Sequence, residues 1–385
     1  MTRLAIGRIP NDGAAMAPTT STQHTAALLR EAFGRSPFTR ADAQAAGISV
    51  DRLRQALRWG LVTRARRGWY VVGDSSTTPT GADASEDAGN PDRLAPTVLS
   101  LVYELQARRA QPVIAGSLSA RWWGTDLLTD RDSRQDGASA RTHPGRRPLN
   151  PGSPGLILVA PGSGVRRGLR HGILIREACI DKRDIVRSDS GLAFTGALRT
   201  GIDCARGLDP AGAFIAVNSA VRRSLDPELP RSDGYRPSAH TLTDLAAHPE
   251  RVQAALGCLR ATLNRCDGYG LSAIRRVMDR IDPRLESALE SLSWWRFGEH
   301  GLVLPIPQQW VRGASGRRYR VDFDFGHVIG EADGLAKYAD VDQLRAEKSR
   351  QMDIELGGRP VVRWGWNDMW NHPERVFMAI ALAAA

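Results

Sequence analysis

The 385-residue chain has few cysteines and no long apolar run, and each shortage excludes a class of protein. Its four cysteines form no CxxC pair and its eight histidines form no HExxH motif, which argues against a zinc centre or a disulfide framework. No apolar run approaches the roughly 18 residues that a membrane span needs. The N-terminus lacks the continuous apolar segment of a signal peptide. The sequence therefore predicts a cytoplasmic protein with no membrane contact.

Lysine is also scarce, although the chain as a whole is strongly basic. Lys and Arg total 52 against 42 Asp and Glu, a formal net charge of +10, and only Lys182, Lys337 and Lys348 are lysines. Basic proteins are attracted to polyanions because each phosphate contact releases condensed counterions. We therefore expect a nucleic-acid partner, in the first place double-stranded DNA. Arginine drift in a GC-rich genome is the alternative source of this charge, and a protein partner stays open.

The N-terminal part divides into a polar tail and a compact helical segment. Residues 1–22 mix Ala, Thr, Pro and Gly and are expected to be disordered. Over 23–73 the pattern is helix, helix, short turn, helix and a basic hairpin that turns near Arg67-Gly68. Thr39 and Ser49 are the expected N-caps of the second and third helices. This order predicts a winged helix-turn-helix.

Arginines crowd the two parts of a winged helix that usually meet DNA. The third helix would read base edges or phosphates, and the wing would contact phosphates or the minor groove. A winged helix that binds protein instead is the alternative, since a fold does not fix a function. The candidate DNA contacts are Arg52, Arg54 and Arg58 on the helix, and Arg64, Arg66 and Arg67 on the wing.

A linker and a middle region follow. Residues 74–93 are rich in Ser, Thr, Gly and Pro, which predicts a flexible linker. Residues 94–281 alternate helical segments with a strand pair and contain a low-complexity insertion at 129–154, which is expected to be a mobile loop. No catalytic constellation emerges from this region, so it is expected to be a scaffold or an interaction module.

The C-terminal part, 282–385, carries the most informative stretch of the chain. Its pattern of helix, two strands, helix, strand and helix predicts an α/β layer arrangement. Within 318–338, RYRVDFDFGHVIGEADGLAKY, two short strands carry Asp322, Glu331 and Asp333. Carboxylates at the ends of neighbouring strands are suited to holding Mg²⁺ or Mn²⁺ against a phosphate.

Several alternatives to this metal site stay open. A solvated hairpin face is the alternative, and for an isolated set of such acids it is the more common explanation. Asp324 shares a strand face with Asp322 and is the alternative ligand if the register is shifted. Gly330 and Gly334 flank the acids and would allow a phosphate backbone to come close.

The C-terminal residues resemble a PD-(D/E)xK nuclease, most closely the very-short-patch-repair branch. The resemblance rests on Glu290-Ser291, VDF at Asp322, ExDG at Glu331–Gly334, the helix at Glu347–Gln351 and the strand at Val361–Trp364. It implies that Asp322 and Glu331 hold the divalent cation and that Glu290 supports the site from its edge. Asp333 stands where the familiar pattern has lysine, and the very-short-patch-repair branch often has this ExD form.

The resemblance leaves the general base open. Asp333 would be a second metal ligand or would orient Lys337, which is our candidate base. A metal-bound water that needs no protein base is the alternative.

The rest of the chain resembles AbiEi-type antitoxins. FTRADAQAAG, LRQALRWG and RARRGWYV carry the resemblance in the winged helix, and SLSARWWG and FTGALRTGIDCAR carry it in the middle region. In such antitoxins the winged helix binds operator DNA, but a fused nuclease-like domain departs from the simple pattern.

The expected fold is thus α/β, α+β overall, with a winged helix, a mixed middle region and a restriction-endonuclease-like domain. The expected function is a DNA-binding, Mg²⁺-dependent endonuclease in a defence, repair or toxin–antitoxin context. The alternative is a non-catalytic transcriptional regulator that uses an inactive nuclease fold as a binding platform.

Overall fold

The computed structural model describes residues 20–34, 36–73, 94–127, 155–188, 190–226, 239–333 and 341–385. Two compact units emerge: Met1–Ala82 with Ala95–Glu104, and Asp83–Leu94 with Leu105–Ala385. The predicted linker, the predicted insertion, residues 1–19 of the predicted tail, Gly334 and Lys337 lie outside the described residues. Helices and strands mix throughout the described part, which confirms the α+β fold class.

Three helices, a small sheet and residues 96–104 of a fourth helix form the first unit. α1 begins at Thr20, inside the predicted tail. The predicted caps are confirmed: the Thr39 hydroxyl accepts from the Asp42 N–H at 3.2 Å, and the Ser49 hydroxyl accepts from the Arg52 N–H at 3.3 Å. The antiparallel sheet has the order β1-β3-β2. The elements are α1 Thr20–Phe33, β1 Phe38–Thr39, α2 Arg40–Ala45, α3 Val50–Arg58, β2 Val62–Arg66 and β3 Trp69–Val72.

The second unit begins with a six-stranded mixed sheet. The predicted strand pair is confirmed, because β5 and β7 run side by side in parallel, with Ile157 opposite Ile175. The strand order is β6-β7-β5-β4-β9-β8. The elements are α4 Pro96–Ala107, which begins in the first unit, β4 Val113–Ala115, α5 Gly116–Trp123, β5 Gly155–Val159, β6 Gly168–Arg170, β7 Ile173–Glu177, β8 Ile185–Arg187 and β9 Ala193–Thr195.

A group of helices connects this sheet to the C-terminal part. α7 is buried along most of its length: Ala213 and Val217 pack into the helical core, while Phe214 and Ile215 pack into the C-terminal core. α7 therefore supports both cores. The helices are α6 Ala197–Ala205, α7 Pro210–Ser224, α8 Ala239–Ala246, α9 Pro249–Asn264 and α10 Leu271–Val277.

The C-terminal part is a four-stranded sheet packed against helices. Its order is β10-β11-β12-β13, antiparallel except for the parallel β12–β13 pair. The sequence predicts β11, β12 and β13 but not the edge strand β10 or the short helix α13. The elements are α11 Ala288–Glu299, β10 Ile306–Arg312, β11 Arg318–Asp324, β12 Ile329–Ala332, α12 Val341–Leu356, β13 Val361–Trp364, α13 Trp366–Asn371 and α14 Pro373–Ala384.

An aromatic core lies between this sheet and α11. Phe297, Phe323 and Trp364 are fully or almost fully buried, and their ring centroids lie 5.4–5.8 Å apart. Gly330 belongs to this core, because a Cβ there would lie 2.6 Å from the Trp364 ring. The expectation that Gly330 admits a phosphate is therefore corrected: the glycine makes room for tryptophan.

None of the helices in the described part is both long and apolar enough to cross a membrane.

Candidate active site

Three acids from three elements form the acidic cluster: Glu290 of α11, Asp322 of β11 and Glu331 of β12. Glu290 is 5% exposed and Glu331 is 7% exposed, while Asp322 is partly buried. The backbone N–H of Ala332 donates to Asp322 Oδ2 at 2.9 Å, which ties the β11 acid to the end of β12. The strand pairing that the sequence predicts thus brings Asp322 next to Glu331.

The N-terminus of α11 fixes the helix acid. Ser287 is the N-cap: its hydroxyl accepts from the Glu290 N–H at 3.1 Å and donates to Glu290 Oε1 at 2.8 Å. The Glu286 N–H donates to Glu290 Oε2 at 2.9 Å. The serine cap satisfies the Glu290 N–H, and the carboxylate lies in the first turn of α11, where the helix dipole favours negative charge.

A glutamine that the sequence did not single out joins two of these acids. Gln308 of β10 donates from Nε2 to Glu290 Oε2 at 2.9 Å and to Asp322 Oδ1 at 3.3 Å. No sequence signal pointed to Gln308, because the strand that turns its side chain inward was itself not predicted.

Burial and mutual repulsion make the acids of the cluster hard to ionise. Burial, reinforced by the neighbouring Asp322 charge, raises the pKa of Glu290 to about 8 and that of Glu331 to about 8. Burial also raises the pKa of Asp322. Positive charge close to the cluster would favour full ionisation of the acids near neutral pH.

Part of that positive charge comes from the protein. Arg350 of α12 donates from Nη2 to Glu331 Oε1 at 2.8 Å and to the Arg320 carbonyl at 2.6 Å, and from Nη1 to Glu347 at 2.9 Å. Arg363 of β13 donates to the same Glu347 and contacts Asp333 Oδ2 at 3.2 Å. Glu331 and Asp333 therefore face one shared network, as expected for strand residues two apart.

The grouping of acids in the structure differs from the predicted set of cation ligands, which was Asp322, Glu331 and Asp333. Asp333 pairs with Arg363 and Asp324 pairs with Arg359, while Glu290 joins Asp322 through Gln308. Across the ranges described above, no three Asp, Glu, His or Cys side chains are grouped to hold a metal ion.

The donors that remain still fit a hard divalent cation. Mg²⁺ is usually bound by one or two carboxylates together with water and substrate phosphate, and Asp322 and Glu331 are neighbouring carboxylates that repel each other. A cation between them would relieve that repulsion, so the chemistry of the donor set fits Mg²⁺ or Mn²⁺.

The candidate DNA-contacting arginines of the first unit fall into two groups. Arg54, Arg58, Arg64 and Arg67 are exposed and Arg52 is half-buried. Arg66 differs: its side chain is 9% exposed and contacts Glu104 at 2.7 Å and the Ser100 carbonyl at 2.9 Å. Arg66 therefore holds α4 against the hairpin, whereas the other five are accessible to a ligand.

Comparison with known proteins gives limited similarity. No family model matches. Two uncharacterized Mycobacterium tuberculosis proteins, MT2308 and Rv2248, are each 29% identical over 114 residues, which is 29% of this chain and 42% of theirs. The matched segment thus spans less than half the length of these relatives. The crystal structure of the Rv2827c protein from M. tuberculosis aligns at 14% identity and a TM-score of 0.31, covering 76% of this chain and 88% of that one.

Proposed function

We propose that the protein is a DNA-binding, Mg²⁺- or Mn²⁺-dependent endonuclease whose hydrolytic centre is the acidic cluster. The observation that carries this is the meeting of two buried acids, Glu290 and Glu331, with the partly buried Asp322, at an energetic cost that a merely structural role does not require. We also propose that it acts in the cytoplasm, in a defence, repair or toxin–antitoxin context.

In this proposal Asp322 and Glu331 hold the cation. When bound there, the cation would polarise the phosphoryl oxygen and lower the pKa of an attacking water. Glu290 keeps Asp322 in place through Gln308, while Arg350 orients Glu331 and adds positive charge beside it. Lys337, from the sequence alone, is the proposed general base.

DNA binding is assigned to the first unit. Its exposed arginines, Arg54, Arg58, Arg64 and Arg67, lie on α3 and the β2–β3 hairpin, where a winged helix would meet phosphates and base edges. Such contacts position the duplex, and the chemistry belongs to the C-terminal sheet.

The experiment is a plasmid-cleavage assay in Mg²⁺ or Mn²⁺ with the wild type, Asp322→Ala and Glu331→Ala. The proposal expects metal-dependent nicking by the wild type and loss of cleavage in both variants. Equal, metal-independent behaviour of all three would overturn it.

A non-catalytic regulator is the second candidate, and one observation favours it. Glu331 and Asp333 already have arginine partners, Arg350 and Arg363, so part of the acidic charge is balanced without a cation. A regulator would protect a specific DNA site in footprinting and leave every plasmid intact.

A further inference from the structure

Gln308 has an unusual backbone conformation for its place in the fold. Its φ is +56°, and it is the one residue inside a strand among the four non-glycine residues with positive φ in the described part of the chain. Residues other than glycine seldom adopt a positive φ, because their Cβ atom crowds the backbone. Such strain persists only where the surroundings over-determine it, and it gathers at functional sites.

The strand register shows what the strained backbone achieves. Pro307 pairs with Phe323 and Gln309 pairs with Val321, so Gln308 lies opposite Asp322. Regular strands alternate between two faces, but here Pro307 and Gln308 are both buried, and Gln309 and the next residue are both exposed. The break in alternation directs the Gln308 side chain inward.

The inward side chain lies where two acids meet. Gln308 is 9% exposed, and its Nε2 lies 2.9 Å from Glu290 Oε2 and 3.3 Å from Asp322 Oδ1. An amide NH₂ has two hydrogens and so can donate to both carboxylates at once. A hydrocarbon side chain of similar size would leave both oxygens without this donor.

We propose that Gln308 is the positioning residue of the acidic cluster, bridging Glu290 to Asp322 so that Asp322 faces a divalent cation. Its effect on cleavage rests on the proposed function, but its effect on cation binding does not depend on cleavage. Gln308 itself touches neither substrate nor cation and acts through Asp322.

The positive φ provides a test that separates strain from contact. Glycine relieves the strained backbone and removes the amide, whereas alanine removes the amide and keeps the strain. In an ordinary strand alanine is the more stable of the two. We therefore expect the reverse order at this position, with the Gln308→Gly variant unfolding at a higher temperature than Gln308→Ala.

The experiment measures Mn²⁺ affinity by electron paramagnetic resonance, with thermal unfolding of each protein recorded alongside. The variants are Gln308→Gly, Gln308→Ala and Gln308→Glu, and Gln309→Ala is the matched control, because Gln309 is the exposed neighbour on the same strand. We expect both Gln308→Gly and Gln308→Ala to bind Mn²⁺ about 10- to 100-fold more weakly. Gln308→Glu keeps the shape but not the donor, so it should fail to rescue binding; Gln309→Ala should match the wild type.

Cleavage kinetics add a second readout. Loss of positioning should lower kcat about tenfold or more and leave the KM for DNA unchanged. Wild-type Mn²⁺ affinity in a folded Gln308→Gly variant would overturn the proposal, and so would a wild-type protein that binds no Mn²⁺. A wild type that binds Mn²⁺ without cutting DNA, with binding weakened in Gln308→Gly, would refute the endonuclease and support the positioning role.

Discussion

Arg350 and Glu331 form a hydrogen-bonded ion pair of 2.8 Å that joins α12 to β12. The pair brings a fixed positive charge to the strand acid, two residues before Asp333. Arginine keeps its charge at any physiological pH, so Arg350 is suited to charge neutralisation and not to proton abstraction. The positive charge beside Glu331 thus comes from the side chain of Arg350, on a helix that follows β12 in the chain.

Removal of Arg350 should destabilise the fold in a pH-dependent way. Arg350→Met leaves a buried carboxylate without its partner, which should lower the free energy of unfolding by about 2 kcal/mol at pH 8.5. The loss should shrink at pH 5, where Glu331 is protonated because burial raises its pKa to about 8. Denaturant unfolding at both pH values measures this. Lys348→Met, exposed on the same helix, is the control and should stay within about 0.5 kcal/mol of the wild type.

The buried helix acid should make stability fall as pH rises. Burial raises the pKa of Glu290 from 4.5 to about 8, so between these values the folded protein binds more protons than the unfolded chain. The contribution of Glu290 to the free energy of unfolding is therefore greatest below pH 4.5 and decreases as the pH rises to about 8. Glu290→Gln removes this ionisation and should show a shallower decrease in unfolding temperature. Parallel curves for the two proteins would contradict a strongly raised pKa.

Substitutions of the arginines in the β2–β3 hairpin should affect DNA affinity and thermal stability separately. Replacing Arg64 and Arg67 with alanine should weaken DNA binding and reduce the slope of log K against log salt by about 2 if each contacts a phosphate. The unfolding temperature of this double variant should match that of the wild type, because both side chains are exposed. Arg66→Ala should instead lower the unfolding temperature, since Arg66 holds Ser100 and Glu104. Unchanged affinity and salt slope in the double variant would remove the DNA role of the wing.

Two glycine-to-alanine changes should have opposite effects on stability. Gly330→Ala places a methyl group 2.6 Å from the Trp364 ring, and such overpacking should cost about 2 kcal/mol. Gly257→Ala lies in α9, and beyond the adjacent residues and backbone of that helix nothing lies within 4 Å of the new Cβ, so it should add about 0.5–1 kcal/mol. Urea unfolding of both variants provides the comparison. A neutral Gly330→Ala would favour a role for this glycine other than making room for Trp364.

Local signals in the sequence predicted those parts of the fold that depend on neighbouring residues. Thr39 and Ser49 cap their helices as expected, because a capping hydroxyl needs only the next three residues. The alternation of RVDFDF likewise predicted β11 and placed Asp322 beside β12. These features follow from periodicity and side-chain chemistry within a few positions.

Contacts between distant segments could not be predicted in the same way. The sequence did not predict β10, because Gln308 interrupts the alternation of buried and exposed residues in that strand. The hydrogen bond from Gln308 to Glu290 joins residues 18 positions apart. Arg66 looks like any wing arginine in the sequence, and its contact with Ser100 depends on where α4 packs. Asp333, a predicted cation ligand, instead pairs with Arg363, because β13 lies parallel to β12.

The measurement that tests the central claim most directly is cleavage of a labelled DNA duplex in Mg²⁺ by Asp322→Asn beside Asp324→Asn. The two acids lie on the same strand face, but Asp322 belongs to the acidic cluster and Asp324 pairs with Arg359. The endonuclease proposal predicts metal-dependent cleavage by the wild type, near-complete loss in Asp322→Asn and retained cleavage in Asp324→Asn. Equal rates for wild type and Asp322→Asn, or no cleavage by any of the three, would contradict it.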